Sequence, residues 1–214
     1  MPTEVSLPRV WRAGEFASIR VHSWLSMKSA FQWGTRIAGG LASRWRNLWY
    51  RALGVRVEGY CWLRNIRIPR QWEDIRLEKG AGLDDGVVLL CSGVRKADKL
   101  VLGRDCYVNR YTIFDAHEHI EVGPRAMIGP HCYITDADHS YEAGKAVMDQ
   151  PMRAKSVIIG EEAWMGAHVI ILPGVRIGRG AVIGANSIVN RDVPDNAIAV
   201  GAPARVVRMR GERI

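Results

Sequence analysis

The chain has 214 residues, 48% of them hydrophobic and 24% charged, which allows one domain of ordinary core size plus an appendage. Its formal charge of +8 is uneven: residues 1–70 hold 12 Lys or Arg against 3 acidic residues, and residues 71–214 hold 18 against 19. No apolar run reaches the roughly 18 residues of a membrane span, and Cys61, Cys91, Cys106 and Cys132 lack the spacing of a disulfide framework or a zinc knuckle. The opening MPTEVSLPRVWRAGE has no apolar stretch leading to a small-residue cleavage site, so the chain reads as cytoplasmic and reduced.

Residues 1–72 read as a helical, basic extension that holds seven of the eight tryptophans. One helix is expected over about 18–37, before a break at Gly39-Gly40. In the next, Leu41, Trp45, Leu48, Trp49 and Ala52 share one face, Arg44, Arg46, Asn47 and Arg51 lie mostly off it, and Gly54 ends it. Such a segment fits an end cap on the following domain, a contact with an anionic membrane surface through residues 1–70, or nucleic acid. Arg and Trp together on an amphipathic helix suit an interface. No nucleic-acid motif accompanies them.

From residue 73 the pattern changes. LEKGAG and then LDDGVV follow from Leu77, Leu102 and Val108 open LGRDCY and VNRYTI, and Val122, Ile128 and Ile134 open VGPRAM, IGPHCY and ITDADH. The run from Ile159 to Pro194 is clearest: IGEEAW, MGAHVI, ILPGVR, IGRGAV, IGANSI, VNRDVP. Helices repeat near 3.6 residues and strands at 2.0, so an aliphatic residue at every sixth position fits neither as one long element. Four positions after each opener stand Ala163, Val169, Val175, Ala181, Ser187 and Val193, small or β-branched, and glycine recurs at the second position. These features predict a mainly β chain, a parallel β-helix over 73–200, followed by a tail over 201–214. The interval from 108 to 122 is two residues longer than a multiple of six, which puts a bulge near Asp115 to His119. The polar stretch 139–157, with Gly144 and Pro151, should project as a loop, and long loops in compact folds carry function. A coil this short leaves exposed ends and flat faces, which oligomerisation covers.

Hexapeptide units, then DADH, then the loop, then IGEEAWMGAHVIILPGVRIGRGAVIGANSIV and GAPARVVR, form a succession that resembles the hexapeptide-repeat acyltransferases. It is similar in particular to the galactoside, maltose and colanic-acid O-acetyltransferases, over about residues 73–210. The resemblance implies a left-handed parallel β-helix, although crossovers are normally right-handed. It also implies a homotrimer, with acetyl-CoA as acyl donor in a groove between subunits and no metal.

By that resemblance His139 of DADH is the catalytic base. The chemistry agrees, because an acceptor hydroxyl must lose its proton as it attacks a thioester, and imidazole is the side chain best matched to neutral pH. Asp136 is the candidate to orient His139 and stabilise its cation. YVNRYTIFD matches an acceptor-binding strip, with Asn109 and Asp115 as substrate ligands. Trp164 matches a tryptophan beside the cofactor arm, and the N–H of Gly166 or Ala167 the donor to the thioester oxyanion. Ala185 matches a backbone contact to the pantetheine amide, and Asn190, Arg191, Arg205 and Arg208 match the adenosine-phosphate end.

The reading is O-acetylation of a sugar hydroxyl in a cell-surface polysaccharide or its precursor, at the cytoplasmic face of the membrane. An antibiotic or other small-molecule O- or N-acetyltransferase would share much of the coil. Two alternatives lie outside this class. A metal hydratase of the γ-carbonic-anhydrase type needs three histidines on one zinc, and the chain has His22, His117, His119, His131 and His168 besides His139. A non-catalytic trimeric scaffold needs neither the DADH nor the GAPARVVR features.

Overall fold

The computed structural model describes residues 38–212. The chain divides into two compact units, residues 1–41 and 42–214. The second is a left-handed parallel β-helix with three faces.

Face A contains Arg56–Val57, Ile75–Leu77, Leu100–Leu102, Ile120–Val122, Val157–Ile159 and Arg176–Ile177. Face B contains Trp62–Leu63, Gly82–Leu83, Tyr107–Val108, Met127–Ile128, Trp164–Met165, Val182–Ile183 and Ala197–Val200. Face C contains Val88–Cys91, Ile113–Ala116, Tyr133–Thr135, Ile170–Ile171 and Ile188–Val189. The chain visits A, B and C in order, and each rung pairs in parallel with the rung one turn away, as Ile128 does with Met165 and Met165 with Ile183.

The six-residue period has a simple origin. Each face contributes one inward residue per rung, and a corner intervenes before the next face. Leu77, Leu83 and Leu89, then Leu102, Val108 and Phe114, then Val122, Ile128 and Ile134 stack inside as successive triplets, all buried. The corner residues Ala163, Val169, Val175, Ala181 and Ser187 are buried too, where only a small or compact side chain fits. The second-position glycines serve close approach: a Cβ on Gly123 would lie 2.5 Å from the amide nitrogen of Glu161 in the next turn. The left-handed backbone falls two residues later instead, at Asp105, Arg125 and Glu162, with φ of 55°, 54° and 58°.

The larger insertions leave the coil at the corner between faces C and A. Residues 92–99, 117–119 and 136–156 emerge there on successive turns. The stretch expected as a loop over 139–157 is a hairpin arm, in which Ala137–His139 pairs antiparallel with Met152–Ala154.

The coil starts earlier than residue 73. Arg56 and Val57 already pair with Arg76 and Leu77, and Trp62–Leu63 with Gly82–Leu83. Val57 and Leu63 keep the six-residue interval, but Pro69 follows six later and breaks the visible pattern. The described part of the expected tail, residues 201–212, is likewise part of the coil end, since Arg205–Met209 folds back antiparallel on Ala197–Val200.

Helix α1 covers residues 38–52 and ends before Gly54, whose φ is 109°. Gly39 and Gly40 are both helical, so the expected break is absent. A helical glycine costs about 1 kcal/mol relative to alanine, less than the docking of the following turns returns. The helix expected over 18–37 lies outside the described residues.

That docking is polar. An edge strand presents unpaired N–H and C=O groups, and α1 supplies their partners. The Asn47 side chain donates to the Cys61 carbonyl at 2.8 Å and accepts from the Cys61 N–H at 3.0 Å, the Ser43 hydroxyl accepts from the Leu63 N–H at 2.9 Å, and the Tyr50 hydroxyl donates to the Ile66 carbonyl at 3.0 Å. Ser43 and Asn47 are buried by these contacts. Among the sequence readings of residues 1–72, α1 thus performs the end cap.

Candidate active site

The expected site residues fall on two separate columns of the coil. On face B and the corner between B and C stand Asn109, Trp164, Gly166, Ala167, Ala185, Arg205 and Arg208. Register fixes this grouping: Val108, Ile128, Met165 and Ile183 are paired neighbours, so Asn109 and Gly166 occupy equivalent positions one residue on. Arg208 pairs with Ile198 and Arg205 with Val200, and cross-strand partners share a face. Both arginines are exposed on the outer side of face B, where Trp164 is 52% exposed.

At the corner between C and A stand Asp115, Asp136, His139, Asn190 and Arg191. Asp115 pairs with Thr135, and Asn190 follows Val189, the partner of Ile171. His139 sits on the projecting arm opposite Met152, exposed. The width of face C separates the two columns, about four extended residues or roughly 13 Å at 3.3 Å each. Within one copy of the chain, His139 and Ala167 thus belong to different corners of the coil.

Asp136 does something other than orient His139. Its carboxylate is fully buried and accepts from the N–H groups of His117 at 2.7 Å, Glu118 at 2.8 Å and His119 at 2.6 Å. Both oxygens are committed to the backbone of the 117–119 bulge one turn away. Charge-assisted bonds of this kind are the strong ones, so Asp136 clamps the loop on which the bulge had been expected. Asp115 is held in turn by the Tyr133 hydroxyl, which donates at 3.1 Å. Burial, then the Asp115 charge, raises the pKa of Tyr133 and keeps it a donor. Sequence reasoning missed Tyr133, whose contact crosses from one turn to the next. Asn109 accepts from the Arg110 N–H at 2.8 Å, which fixes its amide at the corner.

The two candidate oxyanion donors are not equivalent. The Gly166 N–H donates to the Ile183 carbonyl at 2.8 Å and is part of the ladder. The Ala167 and Ala185 N–H groups make no hydrogen bond among the described residues. One turn earlier the position of Ala167 is occupied by Pro130, which has no N–H at all, and the coil is unbroken there. The coil has no need of this donor, which leaves it for a ligand.

The outer faces differ in character. Face A turns Arg56, Arg76, Glu121 and Arg176 outward, with buried Val101 and half-buried Ile158 between them. Face B shows Trp62, Tyr107, Met127, Trp164, Val182 and Ile198, and face C shows Val88, Ile113, Tyr133, Ile170 and Ile188. Several of these are large and exposed, Met127 at 53% among them. Two contiguous apolar faces of this extent mark an interaction surface.

His22 lies outside the described residues, and the other described histidines have local roles. His131 stacks between Tyr111 and His168 at centroid distances of 5.2 and 5.0 Å, His117 lies 3.3 Å from the Ser92 hydroxyl, and His119 lies 2.9 Å from the Asp98 carbonyl. Among the described residues no group of three His, Cys, Asp or Glu side chains is placed to hold a metal ion.

The family described as bacterial transferase hexapeptide, six repeats, matches residues 156–191. The chain is similar to the hexapeptide-repeat acyltransferases. A probable acetyltransferase of Mycobacterium tuberculosis is 41% identical over 118 residues, 55% of this chain and 37% of that one. A putative colanic acid biosynthesis acetyltransferase of Escherichia coli K12 is 27% identical over 209 residues, 97% of this chain and 95% of that one. A solved galactoside acetyltransferase in complex with coenzyme A superposes with a TM-score of 0.56 at 29% identity, over 62% of this chain and 64% of that chain. The chain spans between 37% and 56% of the length of several of the curated relatives it matches. In this hexapeptide-repeat fold, the matched residues 156–191 carry Trp164, Ala167, Ala185 and Arg191, on both columns of the candidate site.

Proposed function

We propose that the protein is an acetyl-CoA-dependent O-acetyltransferase acting on a sugar hydroxyl of a cell-surface polysaccharide or its precursor. It works as a homotrimer on the cytoplasmic side of the membrane, where acetyl-CoA is available. The observation that carries this reading is the division of the site into two columns. One has a tryptophan, a spare backbone donor and two arginines with no ion pair among the described residues, which suit an acyl thioester with an anionic tail. The other has a histidine on a projecting arm beside a held carboxylate. Apolar faces B and C supply the surface on which copies of the chain meet, and their meeting brings the columns together.

In the step, His139 takes the acceptor O–H proton as the oxygen bonds to the acetyl carbonyl carbon. The Ala167 N–H receives the developing oxyanion. The C–S bond then breaks, and the imidazolium returns its proton to the coenzyme A thiolate. Asn109 and Asp115 hold the neighbouring acceptor hydroxyls. The relatives named for colanic acid and galactoside acetylation support a sugar acceptor.

Calorimetry with acetyl-CoA alone, together with transfer of labelled acetyl to a lipid-linked oligosaccharide fraction, tests the proposal. The His139→Ala variant should bind acetyl-CoA with unchanged affinity and lose about 10²- to 10⁴-fold in turnover, the scale of a lost general base. Absence of acetyl-CoA binding, or normal turnover in that variant, refutes it.

A further inference from the structure

Helix α1 is amphipathic in an unusual sense: its polar side faces the protein. At about 100° per residue, Ser43, Asn47 and Tyr50 form one arc, and their side chains are consumed by the coil edge at Cys61, Leu63 and Ile66. Trp45, Leu48 and Trp49 therefore point away, at 66%, 59% and 53% exposure. They cannot turn inward without breaking the cap. Between these two arcs lie arginines on both flanks, Arg44 and Arg51 on one side and Arg46 on the other.

These arginines are not neutralised. Arg51 donates to the Val57 and Gly59 carbonyls, Arg46 to the Leu63 carbonyl at 3.4 Å, and Arg44 lies 5.6 Å above the Tyr60 ring. Among the described residues none of the three forms an ion pair, and residues 42–57 contain no Asp or Glu. A tryptophan ridge with cationic flanks fits one occupant best. Indole rings have an apolar body and a polar tip, suited to the boundary between headgroups and acyl chains, and the arginines match phosphate charge beside it. A second copy of the chain meeting this ridge across a two-fold axis would set the same arginines against one another. Residues 1–37 are themselves basic, with five Lys or Arg against two Glu.

We infer that the outer ridge of α1, Trp45, Leu48 and Trp49 flanked by Arg44, Arg46 and Arg51, docks the protein on an anionic lipid surface with the helix lying in the interface plane. The cap thereby has two sides, one closing the coil and one holding it to the membrane. Docking does not depend on the transfer chemistry, and flotation measures it without either substrate.

The test is flotation of the full chain with vesicles of phosphatidylcholine alone or with phosphatidylglycerol added, at low and high salt. Three proteins are compared: wild type, Trp45→Ser/Trp49→Ser, and Arg44→Gln/Arg51→Gln. Both pairs are exposed, and thermal unfolding and light scattering check fold and assembly. Wild type should float with the anionic vesicles, and high salt should weaken it. The tryptophan pair should lose at least about tenfold in partitioning, as apolar burial in the interface sets the binding strength, and the arginine pair should lose much of the preference for anionic lipid. Wild type that fails to float, or a tryptophan variant that floats as well as wild type, overturns the inference. So does a tryptophan variant with altered mass in light scattering, which would make the ridge a contact between copies.

Discussion

Replacing Asp136 with Asn exchanges one carboxylate oxygen for NH₂ and separates a structural clamp from a catalytic partner. The carboxylate accepts three backbone N–H bonds of 2.6–2.8 Å in a fully buried setting. Asparagine keeps one acceptor oxygen. Placed to meet Glu118 and His119, it turns its NH₂ toward the His117 N–H, so one bond is lost and two become neutral. With bonds to charged groups contributing about 1.5–3 kcal/mol and neutral ones about 1 kcal/mol, the loss is about 2.5–7 kcal/mol. For a domain of this size that lowers the melting temperature by at least about 5 °C. Scanning calorimetry at pH 7 and fixed protomer concentration reads the shift, since assembly makes the midpoint concentration-dependent. A variant that melts with wild type yet loses turnover would show that Asp136 acts on the His139 ring, and would refute the clamp.

Three further outcomes are expected. Ala167→Pro removes the spare N–H at a position whose equivalent one turn earlier is Pro130, so melting should hold while turnover falls by about 10²- to 10³-fold, the cost of one oxyanion donor; unchanged turnover removes Ala167 from the reaction. Replacing Arg205 and Arg208 together with Gln should weaken acetyl-CoA binding and flatten its salt dependence in calorimetry, whereas an unaltered salt slope places the phosphates elsewhere. Burial pushes the Cys91 and Cys106 thiols up to about 12 and Cys61 up to about 11, from an ordinary value of 9.0. A raised folded pKa gives stability that is present below the unfolded value and lost as pH rises through the folded one. The melting temperature should therefore fall as pH climbs above 9, and iodoacetamide at pH 8 should label the four cysteines only after denaturation; rapid labelling of the folded protein would contradict their burial.

The coil was legible wherever its inward residues kept their six-residue interval over several rungs. Its first turn was not, because Val57 and Leu63 offer one interval before Pro69 ends it. The hairpin arm was legible as an interruption, but its antiparallel pairing was not, since nothing local in 139–157 marks Met152 as the partner of His139. Asp136 drew attention by standing near His139 in sequence. Its partners lie a turn away, and contacts across turns leave no local mark. The helical face of α1 was plain from spacing, yet which side packs inward depended on the backbone groups of Cys61, Leu63 and Ile66 that the coil leaves for it. The choice between Gly166 and Ala167 needed the ladder, although Pro130 in the preceding unit already signalled a dispensable N–H.

Transfer of labelled acetyl from acetyl-CoA tests the central reading most directly. The protein is incubated with glycan extracted from cells lacking the gene, and the product is resolved by mass spectrometry. The proposal predicts a gain of acetyl ester on a sugar residue with wild type and its loss with His139→Ala. Label that stays in acetyl-CoA, or ester that forms equally with both proteins, would contradict it.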